Sequence, residues 1–377
     1  MTAIIFIIVL AILVFVHELG HFLVARWCGI RVDAFAIGFG PRLLHWTRHG
    51  IEYSIRLIPF GGYVKIFGEN PDDENTNGPD AKRSFVHKNR LIQAAVLVAG
   101  VTFNFIFAWF LYIGIFASGV TASVDTFDKY ADNISDKRVM VTSVSAGSPA
   151  EKAGLKAGDT IFAVEVNNTS REINHEPSAE IEQAQAITYI QDTINASEGK
   201  ELTVHYDRGE ERLRVGVTPI QGIVEGKYAI GIGMNEVGEL KLPFFTAIWE
   251  SLRYTIFNIR DIVVGLATFI GTIFMGTANF SDVTGPIGIA GVVGDAADLG
   301  FVYLLMITAY ISLNLGVINL IPFPALDGGR LLFVGIESIV RRKIPMKFAN
   351  ITNIIGFALL MLLMVTVTYK DVLRLFK

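Results

Sequence analysis

The stretch FVHELGHFLV, residues 15–24, interrupts a run that is otherwise almost entirely Ile, Leu, Val, Phe and Ala. A single ionisable group at the centre of a membrane helix costs about 2.5–3.5 kcal/mol on insertion scales. Here His17, Glu18 and His21 stand together, and so costly a cluster requires a reason. Residues 3–25 are long enough to cross roughly 30 Å of hydrocarbon at 1.5 Å per residue. The run has no basic start and no small-residue cleavage site, and its apolar pattern resumes beyond the polar cluster. It therefore reads as a retained span rather than a leader.

Working outward, three further runs have the same character: 91–118, 301–321, broken at its end by Pro322 and Pro324, and 351–369. These runs explain why charged residues make up only 18% of the 377-residue chain, against about a quarter in soluble domains. The net charge of −4 gives no reason to expect nucleic acid as a partner. Cys28 is the single cysteine, so an intrachain disulfide and a Cys-rich zinc module are both excluded. It reads as a small packing residue.

Residues 122–242 differ from the rest. They are polar, with alternating stretches such as RVMVTSVSA, ELTVHYDRG and ERLRVGVTP, which predict a soluble, mainly β module. Residues 246–276 are apolar yet carry Glu250, Arg253, Arg260 and Asp261. Basic residues crowd 26–90, and Arg330, Arg341, Arg342, Lys343 and Lys347 follow the third run. Positive loops stay in the cytoplasm. The amino terminus is then outside, the spans run inward, outward, inward and outward, and the β module lies outside.

His17 and His21 are four apart, so they share one face of a helix. Each offers an imidazole nitrogen to one metal at about 2.0–2.1 Å. Glu18 lies about 100° round the helix from His17, beside the metal rather than on it. This H-E-x-x-H arrangement pairs two zinc ligands with a general base for an attacking water. A catalytic zinc needs a third ligand, and the only carboxylate in a comparable setting is Asp327, in NLIPFPALDGGR. Pro322 and Pro324 must end the helix before it. Broken backbone at membrane depth is tolerated only where it lines protein or a water-filled cavity. Gly328 and Gly329 let the chain turn beside the aspartate. For Asp327 to reach the level of His17, the third span must run inward. Residues 254–276 are therefore expected to form an amphipathic or partly immersed helix, not a fifth crossing, and Arg260 and Asp261 suit that role.

HELGH in the first span, with NLIPFPALDGG in a late one, resembles the site-2 protease family of intramembrane zinc metalloproteases, and within it the bacterial regulator of sigma-E protease type. The resemblance covers nearly the whole chain. It implies Zn²⁺ as cofactor, His17, His21 and Asp327 as its ligands, and Glu18 as catalytic base. The family motif N-x-x-P-x-P-x-L-D-G falls on Asn319, Pro322, Pro324, Leu326, Asp327 and Gly328 without a gap. Asn319 and the nearby Asn314 would, by this resemblance, hold the substrate backbone. One departure is AGVTFNF at 99–105, where relatives usually carry proline at the position of Val101. It bears on packing of the second span, not on chemistry.

Peptide hydrolysis needs an extended substrate, because a helix engages its carbonyls in its own hydrogen bonds. Residues 31–67 alternate like strands around GFGP (Gly38, Phe39, Gly40, Pro41) and around Pro59, Gly61 and Gly62, which predicts a hairpin or short sheet. An exposed strand edge takes up a peptide by β-addition, and the resemblance implies that this is a membrane re-entrant β-loop. His45 and His49 are also four apart but have no third ligand nearby. The acidic stretch 68–80 has the composition of a flexible loop, and KRSFVHKNR after it is a basic juxtamembrane segment. In the outer module, SAGSPAEKAGLKAGDTI (145–161) resembles the bacterial PDZ pattern, and the space allows one such domain, either binding a peptide or blocking bulky ectodomains.

The expected architecture is a multi-pass α-helical membrane protein. Residues 1–121 form an amino-terminal membrane half with the re-entrant loop, and 122–242 an extracytoplasmic PDZ domain with its core at about 138–220. Residues 243–299 are an amphipathic membrane-associated segment, and 300–377 a carboxyl-terminal membrane half with the last span. The expected setting is the inner (plasma) membrane, with both termini outside and the metal nearer the cytoplasmic face. Expected partners are the lipid bilayer and transmembrane proteins already trimmed by another protease. A non-proteolytic metal-binding PDZ scaffold is the rival from another class. It would need the ligands but no Glu18. A metal transporter would want several intramembrane acidic groups along a path.

Overall fold

The computed structural model describes the chain except Met1 and residues 70–75, 125–126, 167–168, 173–185, 210, 225, 278–283, 343 and 376–377. Much of the acidic stretch 68–80 therefore lies outside the described residues. The chain divides into two compact units, Met1–Ile115 with Phe245–Lys377, and Phe116–Phe244.

The first unit is mainly helical. Helix α1 (Thr2–Trp27) leads into strands β1 (Val32–Arg48) and β2 (Ile51–Ile66), followed by α2 (Arg90–Ser118). The two strands form an antiparallel hairpin that folds back on itself. Residues of the first third of β1 pair on one side with the end of β2 (Ala36 with Tyr63) and on the other with its beginning (Ala36 with Ser54). Glycines make the fold possible. Gly38 and Gly61 have φ of +85° and +88°, and a Cβ on Gly38 would stand 2.5 Å from the Ile58 carbonyl oxygen. The base of the hairpin packs through Val32, Phe35, Val64 and Ile66 on Phe22 and Ala25 of α1 and on Val96 and Leu97 of α2. Its outer part exposes Leu43, Leu44, Trp46 and Leu57, an apolar surface that suits lipid better than water.

Gly20 brings α1 against α2, since a Cβ there would lie 2.5 Å from the Ala99 carbonyl oxygen. Small residues let membrane helices approach in this way. On the carboxyl-terminal side of the unit are α6 (Pro286–Leu299), α7 (Phe301–Leu320), α8 (Asp327–Val340) and α9 (Met346–Leu375). Val9 and Leu13 of α1 pack with Val293 of α6 and with Leu304 and Ile307 of α7. Among the described residues, five helices are long and apolar enough to cross a membrane: the four runs read from the sequence, and α5 (Phe244–Phe274). The sequence predicts an amphipathic segment at 254–276. The structure extends it to a continuous helix of 31 residues, buried only near its start at Ala247, Glu250, Ser251 and Thr255. Arg260 and Asp261 are exposed midway along it.

The second unit is a sheet in the order β3 (Val120–Ser123), β11 (Ile232–Leu240), β4 (Ile134–Val144), β5 (Thr160–Val166), β7 (Leu202–Arg208), β8 (Glu211–Val217), with β6 (Thr169–Glu172) also on β5. Strands β9 (Ile220–Val224) and β10 (Lys227–Ala229) pair separately. Helices α3 (Pro149–Ala153) and α4 (Ala186–Ala196) complete the unit. Its core gathers Val139, Val141, Ile161, Ile190, Leu202 and Val204. The SAGSPAEKAGLKAGD stretch folds as its residues dictate. Ser148 caps α3 by accepting from Glu151 N–H, and Gly154 ends it at φ +87°. Asp159, 1% exposed, accepts from Arg208 Nε at 2.7 Å.

Candidate metal centre

His17 and His21 lie on the buried face of α1, 8% and 7% exposed. Asp327 is the first residue of α8. Helix α7 stops at Leu320, and Ile321 is already extended, as the two prolines that follow require. A Cβ on Gly328 would fall 2.2 Å from the Ile321 carbonyl oxygen, and one on Gly329 as close to that of Phe323. Only a Gly-Gly pair lets the loop close on itself here. The result sets Asp327 Oδ2 3.1 Å from His17 Nε2 and 3.2 Å from His21 Nε2, with the two Nε2 atoms 3.3 Å apart. Ligand atoms of a tetrahedral ion with bonds of about 2.0–2.1 Å are themselves about 3.3 Å apart.

The donor chemistry fits a cation as well as the spacing does. His21 Nδ1 stands 2.8 Å from the Val96 carbonyl oxygen, and only a protonated Nδ1 can bond there, which leaves a lone pair on Nε2. Asp327 Oδ2 is buried and has no hydrogen-bond donor. Lone pairs that converge without a proton between them repel unless a positive ion sits at their centre. His17 Nδ1 faces the side-chain amide of Asn104 on α2, with Nδ2 at 3.2 Å and Oδ1 left without a donor. A metal held by His17 Nε2 would leave the proton on Nδ1, and a half-turn of the amide would then let Oδ1 accept it. Gly100, one turn before Asn104, keeps the space clear, since a Cβ there would lie 2.4 Å from His21 Nε2 and 2.9 Å from His17 Nε2.

The three residues open on a cavity of about 530 Å³. Glu18 lines it beside them, together with Val64 of β2. Tyr63 and Ile66 of β2, Leu326, and Asn353 and Phe357 of α9 form other walls. Tyr63 is tied to Arg56, whose Nη2 donates to its hydroxyl at 2.6 Å and whose Nη1 reaches the Gly40 carbonyl oxygen. Arg330 of α8 pairs with Glu69 at the cavity edge.

Peptidase family M50 matches this chain over residues 5–363. The chain belongs to peptidase family M50. It is similar to a Clostridium acetobutylicum protein named "Putative zinc metalloprotease", 34% identical over 97% of this chain and 96% of that one. A Clostridium perfringens protein of the same name is 33% identical over 96% and 95%. Zinc metalloprotease RasP of Shouchella clausii is 28% identical over all of this chain and 99% of its own. This M50 member is a zinc metalloprotease of the site-2 protease family, and its membrane-type helices accord with that family.

The four residues singled out first, His17, Glu18, His21 and Asp327, come together. The other predicted positions are more dispersed. Gly62 touches the site, since a Cβ there would lie 3.3 Å from Glu18 Cγ. Gly38, Phe39, Gly40 and Gly61 sit at the fold of the hairpin, where Gly61 packs on the Phe39 ring, and they are not among the cavity walls. Asn314 donates to the Tyr310 carbonyl oxygen of its own helix, and neither it nor Asn319 lines the cavity. His45 and His49 are not on a helix: the first is on β1 and the second in the turn after it. Asn104, Tyr63 and Asn353 went unnoticed in the sequence. A polar amide in an apolar span was a signal for Asn104, and its spacing of four from Gly100 placed both on one face.

Proposed function

We propose that this M50 metalloprotease hydrolyses peptide bonds within transmembrane segments, with His17, His21 and Asp327 holding zinc and Glu18 as general base. The observation that carries the reading is the convergence of two imidazoles and one carboxylate at tetrahedral-edge spacing on an apolar, membrane-length helix. Zinc, when bound, supplies Lewis acidity for activating water and polarising the scissile carbonyl. Glu18 takes the proton from the attacking water and passes it to the leaving amine. Gly62 of β2 lies against the Glu18 side chain, with room for no more than a hydrogen there, and keeps it beside the cavity. His21 and His17 keep their orientation through the Val96 carbonyl and Asn104.

The substrate adds as a strand to the hairpin edge near Tyr63 and Val64, which is the part of the re-entrant loop beside the cavity. Asn314 and Asn319 meet it farther along. The bilayer is crossed four times, with α5 at the outer interface and the metal nearer the cytoplasmic face of the inner membrane. That placement spares the exposed Arg260 and Asp261 a position in hydrocarbon. The second unit is a PDZ domain that acts as a size gate, admitting membrane proteins already trimmed of their ectodomains. Anti-sigma factors and signal-peptide remnants have the required form.

The rival is a membrane scaffold that holds zinc and cuts nothing. Glu18→Gln separates the two, because it removes the base and leaves every ligand. Purified in detergent with a helical peptide carrying Gly or Pro near its middle, the variant is expected to retain zinc and lose activity by about 10²–10⁴-fold. Asp327→Asn is expected to lose both activity and zinc. Cleavage at the wild-type rate by Glu18→Gln would refute the protease mechanism.

A further inference from the structure

Helix α9 touches the loop before Asp327 at two points one turn apart. A Cβ on Gly356 would stand 2.5 Å from Pro324 Cβ and 2.6 Å from its carbonyl oxygen, so helix and loop are in direct contact. Asn353, three residues earlier and on the same face, accepts through Oδ1 a hydrogen bond from the Ala325 N–H at 3.3 Å. Ala325 has φ +74°. That is the left-handed region, which side chains other than glycine's seldom enter and which persists only where the surroundings enforce it.

The position of this turn gives it consequence. Asp327 follows two residues later, after an extended Leu326 with φ −104° and ψ 162°. The turn at Ala325 thus sets the direction in which the chain carries Asp327 into α8. The other side of the loop is already fixed by Gly328 and Gly329, whose backbones lie against Leu320, Ile321 and Phe323. The Ala325 side is held by a side chain from another helix.

We propose that Asn353 is a positioning residue for Asp327: by holding Ala325 in the left-handed turn, it aims the carboxylate at His17 and His21. The inference rests on the ligand assignment above. It makes the last helix part of the metal centre, although none of its residues is a ligand. Asn353 also lines the cavity, so a change there bears on the site directly.

Zinc affinity, not activity, is the measurement. The full chain in detergent is titrated against a competing chelator, with thermal melting recorded in parallel. Asn353→Ala should bind zinc about 10-fold or more weakly, the usual range for partners that orient a ligand. Asn353→Gln, which keeps the amide but moves it by one methylene, should lose affinity in the same direction and serves if the alanine variant does not fold. Ala325→Gly supplies the decisive arm, because glycine takes positive φ without a partner. In that background Asn353→Ala should cost little zinc affinity. Equal losses in both backgrounds, or wild-type affinity in Asn353→Ala where Asp327→Asn weakens binding, would overturn the proposal. If Asp327→Asn also binds zinc as wild type does, the ligand assignment itself fails, and the inference with it.

Discussion

At the scale of single residues, the proposed metal centre is defined as much by what is absent as by what is present. Gly100 faces the two imidazoles from the second span, and a single methyl group there would overlap His21 Nε2. Gly100→Ala should therefore push the rings apart and lower zinc affinity by at least about 10-fold, the scale on which metal sites respond to lost ligand orientation. The methyl meets ring ends that can swing toward the cavity, so the melting temperature of the zinc-free protein should change little. Asn104 acts on the same imidazole from the other side. Asn104→Leu leaves His17 Nδ1–H without an acceptor and should weaken zinc by about 10–100-fold. Asn104→Asp keeps an acceptor there and should bind zinc near the wild-type level. Chelator competition measures all three. If Asn104→Leu and Asn104→Asp bind alike, the amide does not orient His17. The proposed ligands stand out in the sequence because H-E-x-x-H needs only helix geometry, and the Pro and Gly residues around Asp327 announce a broken helix. The residues that support them were not legible, because Asn104, Val96 and Asn353 acquire their roles from contacts between helices.

Among the elements, hydropathy and length were enough to identify four membrane-length apolar helices, and period-two alternation identified β1 and β2. The return of the hairpin on itself was not readable, since the pairing of Ala36 with both Tyr63 and Ser54 is set by tertiary contact. Helix α5 is the element on which composition and charge pull in different directions. Its length and hydropathy permit a crossing, while Arg260 and Asp261 oppose one. Cysteines at Phe245 and Thr277 report on its two ends, in a background with Cys28→Ser. If α5 lies at the outer interface, an impermeant thiol reagent added outside the cell should label both, and a cysteine at Lys347 should stay unlabelled. Labelling at 245 but not at 277 would mean that α5 crosses, and the orientation of Asp327 proposed above would fail. A second test concerns α6. Its first turn is capped from a distance by Asp371 of α9, which accepts from Gly285 N–H at 3.2 Å and from Gly288 N–H at 3.0 Å. Asp371 is 4% exposed, so Asp371→Ala leaves those donors without their partner. The expected cost is about 1–2 kcal/mol, read as a lower melting temperature in detergent. Because α6 packs on the first half of α1, away from His17, zinc affinity should be retained.

For the whole molecule, the chain path itself suggests how to separate chemistry from selection. The second unit has its own core and is inserted into the first through two adjacent strands. Val120 of β3 pairs with Leu240 of β11, and Leu242 N–H donates to the Phe116 carbonyl oxygen at 2.8 Å. Paired Cα atoms in an antiparallel ladder are about 4.5–5.5 Å apart, so the unit begins and ends at nearly the same point. Replacing residues 121–239 by a short Gly/Ser linker can therefore rejoin α2 to α5 with little displacement of either. All the residues assigned to the metal centre belong to the first unit. The shortened chain should bind one zinc as tightly as the full one and cut a short membrane peptide at a rate within a few-fold of it. Its behaviour should change with substrates that keep a large folded ectodomain. If the second unit is a size gate, the full chain cuts these poorly and the shortened chain cuts them well. If the unit instead captures an extended peptide and delivers it, the shortened chain loses rate on every substrate, most at low concentration, and gains none on bulky ones. The ratio of the two rates, bulky to trimmed, thus distinguishes exclusion from delivery. A ratio unchanged by the deletion would show that the second unit does not select by size.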